Sequence, residues 1–401
     1  MVSRKKALLI GSFVVGITAL VCGTIVFHTW KETQETFRSE MTEEAKQDVE
    51  DNPIVTEEPV ATEEVTDTEM IAQDTQMQPE PTSIARNEDE LMILQQPECY
   101  TYKQMEEDLF LLPEIYGEIV QVDSLGETVD GRQMYHVTIG NAEAEKKIFI
   151  NAGIHAREYI TSHLVMHQVV SFLGHVKAGD SYQGYTYQQL LEQVQIHVVP
   201  MVNPDGISIS QLGMDGIQKE EVKQKIQKIA SLDGTAAEGN YLVRWKANAN
   251  GVDLNRNFDA LWSQYQGTGH PSTDKYKGEV VGCEVESAAM IALTEKEQFD
   301  RTISYHSQGS VIYWYFAQEG TLYEETLRFG ERISNLTGYP LDANYQYLDP
   351  AGYKDWAICG MEIPSLTIEV GWDTSPVPFS QYEDIWSRNQ YVWEETLLDI
   401  M

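Results

Sequence analysis

The residues best equipped for chemistry sit where apolar runs end. The stretch "KKIFINAGIHAREYITSHLV" closes a buried strand pattern, presents His155 and Glu158 three residues apart, and then enters a helical pattern. An imidazole nitrogen and a carboxylate oxygen spaced this way in a tight turn can meet at one divalent cation, at about 2.0 to 2.2 Å each for zinc. The H-x-x-E pair alone is a weak signal, and a third ligand is required. "RTISYHSQG" offers His306 at the end of another strand pattern. Two histidines and one carboxylate leave a fourth zinc position open for water, which distinguishes a catalytic zinc from a structural one. His136 and His197, also on strand patterns, read as packed histidines. His163 and His167 stand four apart on one helix face, but no Glu lies between them, so the base of an H-E-x-x-H site is missing. They read as ordinary helix histidines.

Elements must carry these groups to one place. Strand patterns cover Gln133 to Ile139, Lys147 to Ala152, Val194 to Met201, Arg301 to His306, Val311 to Phe316 and Ser365 to Val370; helical patterns cover Tyr159 to Leu173, Glu284 to Gln298, Thr321 to Leu336 and Gln381 to Leu398. Helices interspersed among strands apolar on both faces predict an α/β sheet covered on both sides. Open sheets of this kind build their sites at the carboxyl ends of the strands. Both histidine motifs fall there.

The chain has 401 residues, 63 acidic against 28 basic, for a net charge of −35. Such a surface repels a phosphate backbone, which excludes nucleic acid as a partner. Four cysteines without a C-x-x-C pair exclude a cysteine zinc site and a disulfide-rich scaffold. Cys99, Cys283 and Cys359 leave one disulfide plus a free thiol open. Residues 1–6 carry Arg4, Lys5 and Lys6, and residues 7–27 form an uncharged, mostly apolar run long enough to cross a hydrocarbon layer about 30 Å thick. The basic flank predicts a cytoplasmic N-terminus, a single-pass transmembrane anchor in the cell membrane and an extracytoplasmic remainder. A cleaved signal peptide is the rival reading, and a lipid on Cys22 a lesser one. Between Lys31 and Glu98 there are 20 acidic and 4 basic residues, five prolines and one aromatic. Residues 28–98 therefore read as a disordered acidic linker, and residues 99–401 as one catalytic domain.

Three further motifs follow in order: "VRWKANANG", "ANGVDLNRNFD" and "YLDPAGYKDWAICGMEIPSLTIEVG". With these, the region from about Tyr100 to Leu398 resembles the zinc metallocarboxypeptidases, the carboxypeptidase A-like family. The resemblance implies a mixed, mostly parallel twisted sheet with helices on both faces. It also implies one zinc ion per chain on His155, Glu158 and His306, and Asp253 as the carboxylate that orients His155. Asn255 and Arg256 match the pair gripping a substrate's C-terminal carboxylate, a task suited to a guanidinium fork. Arg157 matches a further substrate-binding arginine, Tyr347 a mobile tyrosine that closes over substrate, and Glu369 the general base. Where the family places an arginine after a tryptophan to stabilise the oxyanion, this chain has Lys246, with Arg244 just before the tryptophan. Lys246 is the favoured residue of the two.

Lys354 falls on the position that sets side-chain preference, where an ammonium would welcome a carboxylate. With the anchor and linker, this suggests a bacterial surface enzyme. In character it is closest to family members that cleave the γ-D-glutamyl-meso-diaminopimelate bond of peptidoglycan stem peptides. The other enzyme reading is a metallocarboxypeptidase removing acidic C-terminal residues from peptides. An inactive wall-binding domain is the alternative from another class, and retention of Glu369 argues against it.

Overall fold

The computed structural model describes residues 86–343, 345 and 347–401. The expected anchor at 7–27 and most of the expected linker lie outside the described residues. Among the described residues, no helix is long and apolar enough to cross a membrane. The last part of the expected linker is folded. Residues Glu88–Glu90 and Met92–Gln95 form two short 3-10 turns that bury Leu91 and Ile93. The backbone amides of Met92 and Ile93 donate to the carboxylate of Asp108, which also accepts from the Tyr100 hydroxyl. Acidic composition concealed this, because two apolar side chains and one buried acceptor suffice to dock so short a segment.

Among the described residues ten strands form in chain order: β1 (Val120–Glu127), β2 (Gln133–Ile139), β3 (Lys146–Ala152), β4 (Ser181–Tyr182), β5 (Tyr185–Thr186), β6 (Val194–Val199), β7 (Arg301–His306), β8 (Val311–Tyr313), β9 (Leu341–Asp342) and β10 (Ser365–Glu369). Strands β4 and β5 make a separate hairpin, and the other eight build one sheet in the order β1-β2-β6-β3-β7-β10-β8-β9. Its four central strands, β6, β3, β7 and β10, run parallel, while β1, β2 and β8 pair antiparallel at the flanks. Parallel strands are covered on both faces, which explains why β6 and β7 are buried at every residue.

Successive side chains of a strand point to opposite faces, so β3 contributes to two cores. Ile148, Ile150 and Ala152 join one apolar cluster with Leu164 and Val165 of the helix Ile160–Ala178 and with Phe329 and Ile333 of the helix Gly320–Thr337. Phe149 joins the other, with Met290 and Leu293 of the helix Val285–Glu297 and with Tyr353 and Trp356 of the helix Tyr353–Cys359. This sandwich fixes β3, β7 and β10 side by side, and their carboxyl ends form one edge. The C-terminal helical pattern is interrupted: two helices, Tyr382–Asn389 and Val392–Ile400, replace the single one expected. The Asn389 carbonyl accepts a hydrogen bond from Gln168 Nε2 at 2.8 Å, which diverts it from continuing the helix.

Candidate active site

The chain leaves β3 at Ala152 and must turn sharply to present His155. Gly153 makes this turn with φ of +65°, and a Cβ there would lie 2.5 Å from Ser162 Oγ and 2.8 Å from Ile207 Cδ1. Only glycine fits. The loop is then tied on three sides. The Thr161 hydroxyl donates to the Glu158 carbonyl at 2.7 Å and accepts from the Gly153 amide. The Ala156 amide donates to the Lys246 carbonyl. Asn203, the cap of the helix Pro204–Leu212, uses its side-chain amide to bridge the carbonyls of Ile154 and Ala247. Asn203 was not singled out from the sequence, although Asn-Pro ahead of an apolar run is a readable cap.

His306 ends β7 beside β3, and β10 brings Glu369 into register with it. His155, Glu158 and His306 are buried, and one ligand atom from each lies within 4.8 Å of the others. His155 Nδ1 is 3.0 Å from His306 Nδ1 and 2.9 Å from Glu158 Oε1, and His306 Nδ1 is 3.0 Å from Glu158 Oε2. Two ring nitrogens and a carboxylate turning their lone pairs toward one point suit a single zinc ion bound by two imidazoles and a carboxylate. The family fits on chemistry as well as on order of motifs. Behind His155, Nε2 faces Asp253 Oδ1 at 3.3 Å. Such a carboxylate fixes the tautomer that leaves Nδ1 free for the metal. Asp253 is itself held by the Lys275 amide at 3.1 Å and by Lys246 Nζ at 3.4 Å. Burial opposes its charge, but Lys246, His155 and Arg256 outweigh burial and hold the carboxyl well below the usual carboxylate range.

Glu158 shows the same competition. Burial raises its proton affinity, yet His155 and then His306 bring it below the ordinary value, and the Ser307 amide donates to its Oε2 at 3.1 Å. Glu369 goes the other way. Burial and the neighbouring Glu158 charge push it up to about 7, against the opposing pull of His306 and Lys246. Its Oε2 is buried with no hydrogen-bond partner. A carboxylate poised near neutrality with an unsatisfied oxygen is equipped to accept a proton.

Of the expected substrate-binding residues, Arg256 is near enough to Asp253 to help hold its charge, and Arg157 adjoins Glu158 in the chain. Asn255 accepts from the Tyr353 amide through Oδ1 at 2.9 Å, which leaves its NH2 as donor. Arg256 stacks on Tyr265 with its guanidinium 4.9 Å from the ring centre, and its NH2 group pairs with Asp349 Oδ2 at 2.6 Å. Arg157 donates to the Arg244 carbonyl at 3.3 Å. The Nε atoms of Arg157 and Arg256 are both buried without a partner. Arg244 is directed at the Ser375 carbonyl, whereas the partly exposed Lys246 ammonium lies beside Asp253 and acts on Glu369. Tyr347 is 69% exposed on the segment ahead of the helix Tyr353–Cys359. Lys354 is buried rather than turned to solvent; its Nζ lies 3.1 Å from the Tyr315 carbonyl and 2.5 Å from Asp355 Oδ1.

The competing histidines are core residues. His167 bonds the Tyr382 hydroxyl and stacks on Trp386, His163 packs on Tyr382, and His136 and His197 contact each other at 3.0 Å. Cys99, Cys283 and Cys359 are all unpaired.

A family model described as zinc carboxypeptidase matches residues 105–392. Gamma-D-glutamyl-L-diamino acid endopeptidase 1 of Lysinibacillus sphaericus is 32% identical over 293 residues, which span 72% of this chain and 70% of that protein. The uncharacterized protein YqgT of Bacillus subtilis (strain 168) is 27% identical over 298 residues, 73% of this chain and 76% of its own length. Bovine thrombin-activatable fibrinolysis inhibitor in complex with tick carboxypeptidase inhibitor shares the fold with a TM-score of 0.57 at 19% identity, over 75% of this chain and 96% of that one. Sequence match, fold and the donor set at the sheet edge agree: the chain belongs to the zinc carboxypeptidase family and is a metallocarboxypeptidase-type hydrolase.

Proposed function

We propose that this enzyme hydrolyses the bond between a γ-D-glutamyl residue and a C-terminal diamino acid in cell-wall stem peptides, the γ-D-glutamyl-diaminopimelate bond in particular. The reaction rests on one observation: Glu369, with an unpartnered oxygen, ends the strand next to the one that carries His306. One zinc ion held by His155, Glu158 and His306 would supply Lewis-acid polarisation of water and the scissile carbonyl. Glu369 takes the proton of the attacking water and returns it to the leaving amine. Lys246 contributes positive charge where the tetrahedral oxyanion develops. Arg256, Asn255 and Arg157 receive the free carboxylate, and Tyr347 closes over the bound peptide.

The substrate rests on the relative from Lysinibacillus sphaericus, named for γ-D-glutamyl-L-diamino acid bonds, and on the buried Lys354. The apolar run at 7–27 and its basic flank support an anchored enzyme facing the cell wall, with stem peptides as its encounter partners. Incubation of the purified enzyme with stem tripeptide and with peptides ending in Glu, Phe or Lys tests this reading. Release of diaminopimelate from the tripeptide is the expected result. Turnover of the Phe-ending peptide alone defeats it, and efficient turnover of the Glu-ending peptide without the tripeptide favours the acidic exopeptidase.

A further inference from the structure

The preference-setting side chain does not stand alone. Lys354 and Asp355 are sequence neighbours on the helix Tyr353–Cys359, positions that do not face each other on an ideal helix. Here both bend to the same spot, with Nζ 2.5 Å from Oδ1 and side-chain exposures of 9% and 8%. The pair is thus desolvated without being sealed in the core. An ammonium has three donors. The Tyr315 carbonyl and Asp355 Oδ1 engage two of them, and the ammonium also lies over the Phe316 ring, 5.6 Å from its centre.

Asp355 is also close to the carboxylate-gripping residues. Gly352 has no side chain, and a Cβ there would lie 2.7 Å from Asp355 Oδ2 and 3.1 Å from Asn255 Oδ1. Both oxygens thus flank one point of backbone. A ligand held by Asn255 and Arg256 through its C-terminal carboxylate has the Lys354–Asp355 pair within reach of its side chain.

A preformed ion pair selects differently from a lone lysine. A side chain ending in a carboxylate alone meets Lys354 but is repelled by Asp355, and one ending in an ammonium alone meets the converse. Separating the pair to satisfy either leaves one buried charge uncompensated, which is strongly unfavourable. A terminus carrying both an ammonium and a carboxylate on one carbon adds two attractive contacts and keeps the original pair. We infer that Asp355 is a specificity-determining residue, acting with Lys354 as a reader of the amino-carboxylate terminus of a zwitterionic side chain. This inference rests on the γ-D-glutamyl-diamino acid reading and deepens it: both charges of the far end are recognised.

The test uses γ-D-glutamyl peptides that differ only in the C-terminal residue: meso-diaminopimelate, 2-aminopimelate lacking the far amine, and lysine lacking the far carboxylate. In competition assays the wild-type enzyme should prefer diaminopimelate over each of the others by about tenfold or more in kcat/KM. Asp355→Asn should reduce the preference over 2-aminopimelate toward unity and keep that over lysine. Lys354→Gln should do the reverse. Ratios measured in one mixture do not depend on the fraction of variant that folds, and the wild-type ranking needs no variant. Equal turnover of the three peptides by the wild type, or variants with unchanged ratios, overturns the zwitterion reader and leaves the γ-D-glutamyl reading intact. If no γ-D-glutamyl peptide is cleaved while an ordinary peptide is, both fall.

Discussion

Glu158, buried, and Glu369, half-buried, lie beside the same histidine, yet their proton affinities move in opposite directions. The difference lies in what each faces. Glu158 has two imidazoles and a backbone amide, whereas Glu369 faces Glu158 across the site with Lys246 as its other positive neighbour. A base acts only when deprotonated, so kcat/KM should rise with pH along a limb set by Glu369, at about 7 or lower once a bound zinc ion adds its positive charge. Glu369→Gln should lower kcat by roughly 10²- to 10⁴-fold and leave zinc stoichiometry unchanged, as metal analysis of the purified variant would show. Lys246 offers a sharper check, because its charge acts on Glu369 as well as on the oxyanion. Lys246→Gln should lower kcat by about 10²-fold and move the acid limb to higher pH, whereas Lys246→Arg should keep the limb in place. An unchanged kcat in Lys246→Gln would return the oxyanion role to Arg244, and a fixed limb would mean that its charge does not reach Glu369.

Elements explain why part of this site could be read in the sequence and part could not. His155, Glu158, His306 and Glu369 were legible because each sits at the end of an apolar run, and the sheet brings strand ends together. The central strands and the helices flanking them were legible for the same reason, continuous burial. Contacts made by the loops left no such mark. Arg256 pairs with Asp349, 93 positions away, and strand β1 is buried at only one residue. The helix Glu220–Leu232, absent from the expected elements, was legible, because Val222, Ile226, Ile229 and Ala230 recur at helical spacing and are buried. The Asp349 pairing has a functional cost. A carboxylate from the protein occupies the guanidinium that the proposed function assigns to substrate, and it is carried on the segment that bears Tyr347. Asp349 is well exposed and its ion pair is correspondingly weak, so a substrate carboxylate can displace it. Asp349→Asn should therefore lower KM about threefold for peptides with a free C-terminal carboxylate and leave kcat nearly unchanged. Steady-state kinetics decide this; a raised KM would mean that Asp349 orients Arg256 rather than competing for it.

Across the whole molecule, buried titratable groups away from the metal centre set how stability depends on pH. Burial lowers His136 and His167 to about 4 and His163 and His197 to about 3. Each histidine is neutral when folded and takes up a proton near pH 6.5 when unfolded. As pH falls from about 6.5 toward these folded values, the unfolded chain binds protons that the native state refuses, and stability is lost. Carboxyls that burial raises act oppositely, Asp108 and Asp205 among them. Burial raises Glu286 to about 8 and Glu394 to about 7, so the native state holds protons there that the unfolded chain releases above about 4.5. Their effect is a loss of stability as pH rises from about 4.5 to about 7 or 8. Between about pH 5 and 6 the four histidines outnumber Glu286 and Glu394, and the net slope of these six groups favours higher pH; above about pH 7 the histidines fall silent and the carboxyls remain. Thermal unfolding of the zinc-loaded enzyme should accordingly give a Tm maximum between about pH 6 and 7, with a steeper fall on the acid side. Glu286→Gln should flatten the alkaline side and steepen the acid side, since its amide keeps the contact with Asn248 without a proton to lose and no longer opposes the histidines. A Tm that climbs steadily from pH 7 down to pH 4.5 would contradict this account, because no buried carboxyl can offset four histidines held neutral.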